Sequence, residues 1–296
     1  MTTIAVVGPG SVGTYVAAQL AAGGNDVLAC ARRPFDEYVV ESPEHPVRLP
    51  ARVATDPSEV PDGWSPRFVL VCVKAHQTAG AAEWLARLAR PATTFVAVQN
   101  GVEGGERLTP YAEGGETLPS VVYCGAELLA PGHVRHYTHG LLITPDVPSG
   151  RELATAAHGT GLHVRPDPAF VTEAWRKLGA NIVANGITAL TRRRIGVLAE
   201  PGMAELLRHL LDETWTVARA EGATLGDADI DGFVAAMTAR PPGGDGGTSM
   251  YYDRMAGRPT EHDALYGAVV RAGARHAIAT PMVAGLQTLI AAGDGA

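Results

Sequence analysis

The sequence predicts an α/β protein in which a doubly wound parallel sheet is followed by an all-α second half. Three observations carry that expectation. Apolar β-branched runs alternate with helical stretches as far as about residue 98. A glycine-rich turn joins the first of those runs to the first helix. After Pro168 almost every segment has the periodicity of a helix rather than of a strand.

The first run is Ile4-Ala5-Val6-Val7, followed by a helical stretch from Ser11 to Ala22 and a second run from Asp26 to Ala31. The pattern repeats with Phe68 to Val73, a helix from Gln77 to Ala89, and Thr94 to Val98. Runs that are apolar on both faces and joined through helices belong to a parallel sheet covered on both sides. Segment 33–50, carrying Pro34, Pro43, Pro46 and Pro50, reads as a loop. From Ser120 to about Thr144 the runs shorten and are broken by Pro131-Gly132, which predicts antiparallel strands extending the same sheet. A helix near 151–159 and the run Leu162-His163-Val164 close this domain, at 1–167. A second domain, 168–296, has helical period over 170–190, 202–222, 228–239, 249–256, 261–277 and 282–292. Its segment 241–247, Pro-Pro-Gly-Gly-Asp-Gly-Gly, reads either as a connector or as a mobile cover just before Ser249.

A chain of 296 residues, 46% of them hydrophobic, can bury a sizeable core. Its net charge of −7 leaves no footprint for nucleic acid or an anionic membrane, so the expected partner is a small molecule. No run reaches the ~18 apolar residues of a membrane span, and Met1-Thr2-Thr3-Ile4 enters a strand without a basic leader, so a cytoplasmic protein is expected. Cys30, Cys72 and Cys124 show no metal-ligand spacing and are expected to be reduced and buried; no metal is expected.

Gly8-Pro9-Gly10-Ser11-Val12-Gly13 stands between a strand and a helix, the context that makes a glycine pattern a dinucleotide fingerprint and this domain Rossmann-type. Gly8 permits the turn, Gly10 lets backbone approach a pyrophosphate, and Gly13 lets helix and strand pack closely. Where NAD-binding versions place an acidic residue, this chain has Ala31-Arg32-Arg33, and a guanidinium at Arg32 suits the 2′-phosphate of NADPH. Lys74-Ala75-His76-Gln77 and Gln99-Asn100-Gly101 follow two further strands at the same sheet edge, which makes Lys74, Gln77 and Asn100 candidates for cofactor or substrate contact. His76 has no partner in the sequence and is left structural.

In the helical half, Lys177, Asn181 and Asn185 are spaced to stack along one helix face, with apolar Leu178, Ile182 and Val183 beside them. Polar groups against buried structure are costly unless they meet partners, so this stripe reads as a site. The remaining constellation is Ser249-Met250-Tyr251-Tyr252-Asp253 followed by Thr260-Glu261-His262-Asp263. Thr260 is typed as an N-cap with Asp263 completing a loose capping box, which puts Glu261 in the first helical turn.

Together and in order, the glycine fingerprint with Arg32, Lys74-Ala75-x-Gln77, Gln99-Asn100-Gly101, Trp175-Arg176-Lys177-Leu178-x-x-Asn181 with Asn185, and Ser249-Met250 leading to Thr260-Glu261-x-Asp263 resemble the ketopantoate reductase (2-dehydropantoate 2-reductase) family across nearly the whole chain. The resemblance implies a Rossmann domain and a helical domain similar to the C-terminal domain of 6-phosphogluconate dehydrogenase, with NADPH and a 2-oxo acid sharing one cleft. It implies Lys177 as general acid and Glu261 as the carboxylate that positions substrate and Lys177. Asn181, Asn185 and Ser249 would hold the substrate's hydroxyl and carboxylate, Asn100 would sit beside the nicotinamide, and Lys74 would line the cleft. The chain departs from the family at His262, where an aliphatic residue is common, and at Asn185-Gly186, where the best-known members have Asn-Pro. Reduction of another branched 2-oxo acid or of a β-keto acid, and a regulatory protein that binds NADPH without turnover, stay open as alternatives. A monomer or a homodimer is equally compatible.

Overall fold

The computed structural model describes residues 1–239 and 246–294, which separate into two compact units, Met1–Phe170 and Val171–Ala296. In the first unit, β1 (Thr3–Val7), α1 (Ser11–Ala22) and β2 (Asp26–Cys30) lead into β3 (Glu37–Glu41), β4 (Val47–Pro50) and β5 (Arg52–Ala54). Then come β6 (Phe68–Val71), α2 (Ala82–Leu88), β7 (Thr94–Ala97), α3 (Gly104–Leu108) and β8 (Glu116–Pro119). The unit ends with β9 (Val121–Ala130), β10 (His133–Pro145), α4 (Pro148–Ala156) and β11 (His163–Asp167).

Six strands form a parallel sheet in the order β5-β2-β1-β6-β7-β8. Alternation along β1 shows why both faces are covered: Ile4 and Val6 enter one core cluster, Ala5 and Val7 the opposite one. Leu85, Leu88 and Leu108 cover the second face. Helix α1 covers the first face and is itself overlaid by a second sheet, so that Tyr15, Val16, Ala17, Ala18 and Leu20 are all fully buried.

That second sheet corrects two sequence expectations. Strands β9 and β10 do not extend the parallel sheet; they belong to a separate mixed sheet of order β11-β10-β3-β4, with β9 antiparallel to β10. Segment 33–50 is likewise not a loop, since it supplies β3 and β4. Pro34, Pro43 and Pro46 stand outside these strands and Pro50 ends β4, so the prolines punctuate the pair rather than break it. Tyr38 and Val40 of β3 and Val47 of β4 are the buried residues, and they pack over α1. Tyr15 fixes α1 to this layer, donating from its hydroxyl to Gly161 O at 2.6 Å. Cys30 is buried, while Cys72 and Cys124 are only partly so.

In the second unit, α5 (Phe170–Thr191) is followed by a short 3₁₀ turn, α6 (Met203–Ala220), α7 (Asp227–Thr238) and α8 (Ser249–Met255). A π-helical turn, Asp263–Gly267, runs into α9 (Ala268–Arg275), and α10 (Pro281–Asp294) completes the unit. Among the described residues no helix is long and apolar enough to cross a membrane. Of the Gly/Pro segment 241–247, residues 241–245 lie outside the described residues; Gly246 accepts a backbone bond from Ile195 N at 3.0 Å.

Because α1 sits between the two sheets and carries the glycine turn at its start, its packing sets the position of that turn. Truncating the fully buried Leu20 to alanine should cost about 2–5 kcal/mol of unfolding free energy, measured by urea denaturation. A loss below ~1 kcal/mol would mean that the second sheet does not clamp α1.

Candidate active site

In the first unit the strand register levels one edge of the parallel sheet. Val7 pairs with Cys30 on β2 and with Val71 on β6, and Val71 pairs with Ala97 on β7. The turns that follow these strands, holding Gly8–Gly13, Arg32, Lys74 with Gln77, and Asn100, therefore line one carboxyl edge. Between β1 and β6 the winding of the sheet reverses, which is where doubly wound folds bind ligands.

Each glycine of the turn has its own reason. Gly8 has φ +86°, and a Cβ there would stand 2.4 Å from Val73 Cγ1. A Cβ at Gly13 would stand 2.4 Å from the Gly8 carbonyl oxygen and 2.9 Å from Cys72 Cβ. Gly10 is different: nothing lies within 4 Å of where its Cβ would be. Thr14 Oγ1 donates to Pro9 O at 2.9 Å and stiffens the turn. Helix α1 then begins with no side-chain cap and no acidic residue in its first turn. Two glycines pack the turn, the third leaves open space before an uncapped helix start, and that arrangement fits a dinucleotide pyrophosphate.

Arg32 is exposed two residues beyond β2 and makes no hydrogen bond or ion pair among the described residues. Lys74 precedes a 3₁₀ turn, Ala75–Gln77, and is partly buried, while Gln77 and His76 are exposed. Asn100 is partly buried and is followed by Gly101 at φ +100°. The neighbouring Gln99 is a brace: it is 4% exposed, and its Nε2 donates to Val73 O and Thr78 Oγ1, each at 2.9 Å. The turns after β6 and β7 are thereby tied together.

In the second unit, Lys177, Asn181 and Asn185 lie along α5 beside the buried Trp175, Leu178, Ile182 and Val183. Burial pushes the Lys177 ammonium below the ordinary lysine value. Asn181 presents a buried Nδ2 with no hydrogen-bond partner among the described residues, and Asn185 is 4% exposed. An unmade donor of this kind costs ~1–3 kcal/mol unless a water or a ligand receives it.

Two contacts that the sequence did not disclose bring the other candidates to α5. Thr188, one turn beyond Asn185, shares a hydrogen bond with Thr248 Oγ1 at 2.8 Å. Thr248 caps α8 by accepting from Tyr251 N at 3.1 Å, so Ser249 starts a helix pinned to the end of the stripe. Tyr266 is fully buried and donates from its hydroxyl to Ile182 O at 2.6 Å, which fastens the segment beginning at Glu261 to the middle of the stripe. Thr248, a threonine just before a helical run, had a readable N-cap form; Tyr266 carries no local pattern that marks it.

The expected capping box is corrected. Thr260 N and Oγ1 both donate to Asp294 Oδ2, at 3.1 and 2.8 Å, so the carboxylate comes from the end of α10 rather than from Asp263. Asp263 instead accepts from Arg271 at 2.7 Å, a partner on its own helical face. Glu261 lies just before the helical turn, 8% exposed, with its carbonyl accepting from Leu265 N at 3.1 Å. His262 stands 3.8 Å from Asp294 Oδ2, in the same carboxylate's surroundings. Gly186 has a packing reason, because a Cβ there would be 2.2 Å from Tyr266 Oη.

A dinucleotide-type turn on a doubly wound sheet, with a separate helical unit bearing a half-buried lysine and two asparagines, defines a nicotinamide-dependent oxidoreductase architecture. The comparisons narrow it. Residues 4–149 match the family model described as ketopantoate reductase PanE/ApbA, and residues 169–294 match its C-terminal counterpart. The chain is 39% identical over 293 residues to the 2-dehydropantoate 2-reductase of Mycobacterium tuberculosis, covering 98% of this chain and 97% of that one. It is 38% identical to the corresponding enzyme of Caulobacter vibrioides over 283 residues, covering 95% of each. The crystal structure of a PanE/ApbA family ketopantoate reductase from Ralstonia eutropha superposes with a TM-score of 0.87 at 29% identity, covering 99% of this chain and 98% of that one. The chain belongs to the ketopantoate reductase family of oxidoreductases.

The glycine geometry separates packing from ligand binding. Gly13→Ala should lose about 1–3 kcal/mol in chemical denaturation through overlap with the Gly8 carbonyl, outweighing any gain in helix propensity. Gly10→Ala should stay within ~0.5 kcal/mol of the parent. Equal losses at both positions would contradict the distinction.

Proposed function

We propose that the chain is a cytoplasmic, NADPH-dependent 2-dehydropantoate 2-reductase that converts ketopantoate to pantoate for pantothenate and coenzyme A biosynthesis. The observation that carries this reading is the α5 stripe, in which a lysine depressed by burial stands with a buried, unpartnered Asn181 donor. Residues 1–167 hold the cofactor and residues 168–296 hold the 2-oxo acid. Gly8, Pro9, Gly10, Ser11, Val12 and Gly13 receive the pyrophosphate, and Arg32, standing where NAD-binding versions place an acidic residue, grips the 2′-phosphate. Lys74 and Gln77 flank the cofactor, and Asn100 sits by the nicotinamide and the substrate.

NADPH, when bound, supplies the hydride that reduces the ketone carbon. Negative charge then develops on the carbonyl oxygen, and the Lys177 ammonium both stabilises it and delivers the proton to that oxygen. Burial lowers the cost of giving up this proton. Asn181, Asn185 and Ser249 hold the substrate's carboxylate and hydroxyl, which orients the ketone without adding charge. Glu261 orients the lysine and the substrate hydroxyl, and it also borders the cofactor.

The test follows NADPH absorbance with a panel of 2-oxo acids and β-keto acids. Ketopantoate should give the highest kcat/KM; a better rate with another acid would replace the substrate, and no turnover would leave an NADPH-binding protein. Arg32→Ala should raise KM for NADPH and leave NADH use nearly unchanged; equal weakening of both would make Arg32 structural.

Lys177→Ala should fold and bind NADPH but lose about 10²–10⁴-fold in kcat. Because the protonated lysine is the active form and its pKa lies below 10.5, activity should be full at lower pH and fall through an alkaline limb centred below that value. That limb should vanish in Lys177→Ala. Turnover of the alanine variant within a few-fold of the parent, or an unchanged limb, would remove Lys177 as the acid.

A further inference from the structure

Helix α5 receives a side-chain hydroxyl between its two asparagines. The Tyr266 hydroxyl donates to Ile182 O at 2.6 Å and lies against Gly186, where a Cβ would stand 2.2 Å from it. Asn181 immediately precedes Ile182 and Asn185 immediately precedes Gly186, so the bridge falls between the two carboxamides.

Three further features make this a built contact. Tyr266 is fully buried, so its hydroxyl has no water to exchange with and its proton is held by burial. Gly186 is the residue type the contact demands, since a Cβ there would lie 2.2 Å from the hydroxyl and 2.8 Å from Tyr266 Cζ. Tyr266 itself sits in the π-helical turn Asp263–Gly267, a widened backbone that occurs mostly as single turns and frequently at functional sites. The same turn follows Glu261 directly, whose carbonyl bonds Leu265 N, so one hydroxyl couples the carboxylate segment to the stripe.

We infer that Tyr266 is a positioning residue for the reduction, setting the offset between Asn181 and Asn185 and the placement of Glu261 relative to them, with Gly186 as its obligate partner. The inference rests on the stripe being the substrate site. Tyr266 touches no substrate; it acts through α5. Its effect therefore falls on substrate use and leaves the sheet edge of the first unit untouched.

Tyr266→Phe keeps the ring and removes the hydroxyl, and with it the bond to Ile182 O. With ketopantoate and saturating NADPH, kcat/KM should fall on the order of 10–10²-fold, with KM raised, at temperatures well below the melting transition. The dissociation constant for NADPH, from fluorescence titration, should stay within twofold. Gly186→Ala should show a similar loss, and the double variant should lose no more than the worse single one, because both act on a single contact. Turnover and KM of Tyr266→Phe within twofold of the parent, with only a lower Tm, would overturn the inference by making the tyrosine a packing residue. Losses that multiply in the double variant would overturn the shared contact. If Tyr266→Phe fails to fold, Gly186→Ala alone decides by the same KM and NADPH readouts. Absence of turnover by the parent protein would instead remove the underlying substrate assignment, which distinguishes the two failures.

Discussion

The constraint on which the helical unit depends is the burial of polar groups along α5. Lys177, Asn181 and Asn185 occupy a face bordered by Leu178, Ile182 and Val183, where a charge or an amide is expensive unless something receives it. The structure around the stripe does not neutralise that cost completely. Among the described residues Asn181 Nδ2 has no partner, and the Lys177 ammonium is destabilised by burial. Apolar residues of similar size would avoid that cost, and the substrate proposed above would offset it.

Around that stripe, the second unit spends its other polar contacts on holding neighbouring segments in register. Thr188 and Thr248 bring the start of α8 to one end, and Tyr266 fastens the turn after Glu261 to the middle. Asp294, at the end of α10, receives Thr260 and faces Arg254 at 3.0 Å, so the helix that closes the unit also secures the approach to Glu261. In the first unit, rigidity comes from close packing: Gly8 and Gly13 admit no side chain, and α1 is enclosed by two sheets.

What could be read from the residues was what obeys local periodicity. The runs at Ile4–Val7, Phe68–Val73 and Thr94–Val98 are apolar on both faces and became central strands β1, β6 and β7. The Lys177 stripe needed only helical spacing. Strands β3 and β4 escaped because they are short, lie among prolines, and owe their existence to covering α1. Sheet membership of β9 and β10 also escaped, since pairing partners distant in sequence leave no local mark. Thr260 was typed correctly as a polar residue at a helix start, but its carboxylate partner lies 34 residues away rather than three. Tyr266 and Gly186 are one contact from two unremarkable residues, visible only when α5 and the π-helical turn are seen together.

The central claim is that the unpaired Asn181 donor exists for the 2-oxo acid, and unfolding of Asn181→Leu by denaturant tests it most directly, first without ligands and then with ketopantoate and NADP⁺ together. Without ligands the variant should be at least as stable as the parent, because leucine removes a buried donor that nothing satisfies. With both ligands the parent should gain stability as RT ln(1 + [L]/Kd) requires, and the variant should gain only what NADP⁺ alone provides. A variant that is less stable without ligands, yet gains as much as the parent when they are added, would contradict the account and return Asn181 to a purely structural role.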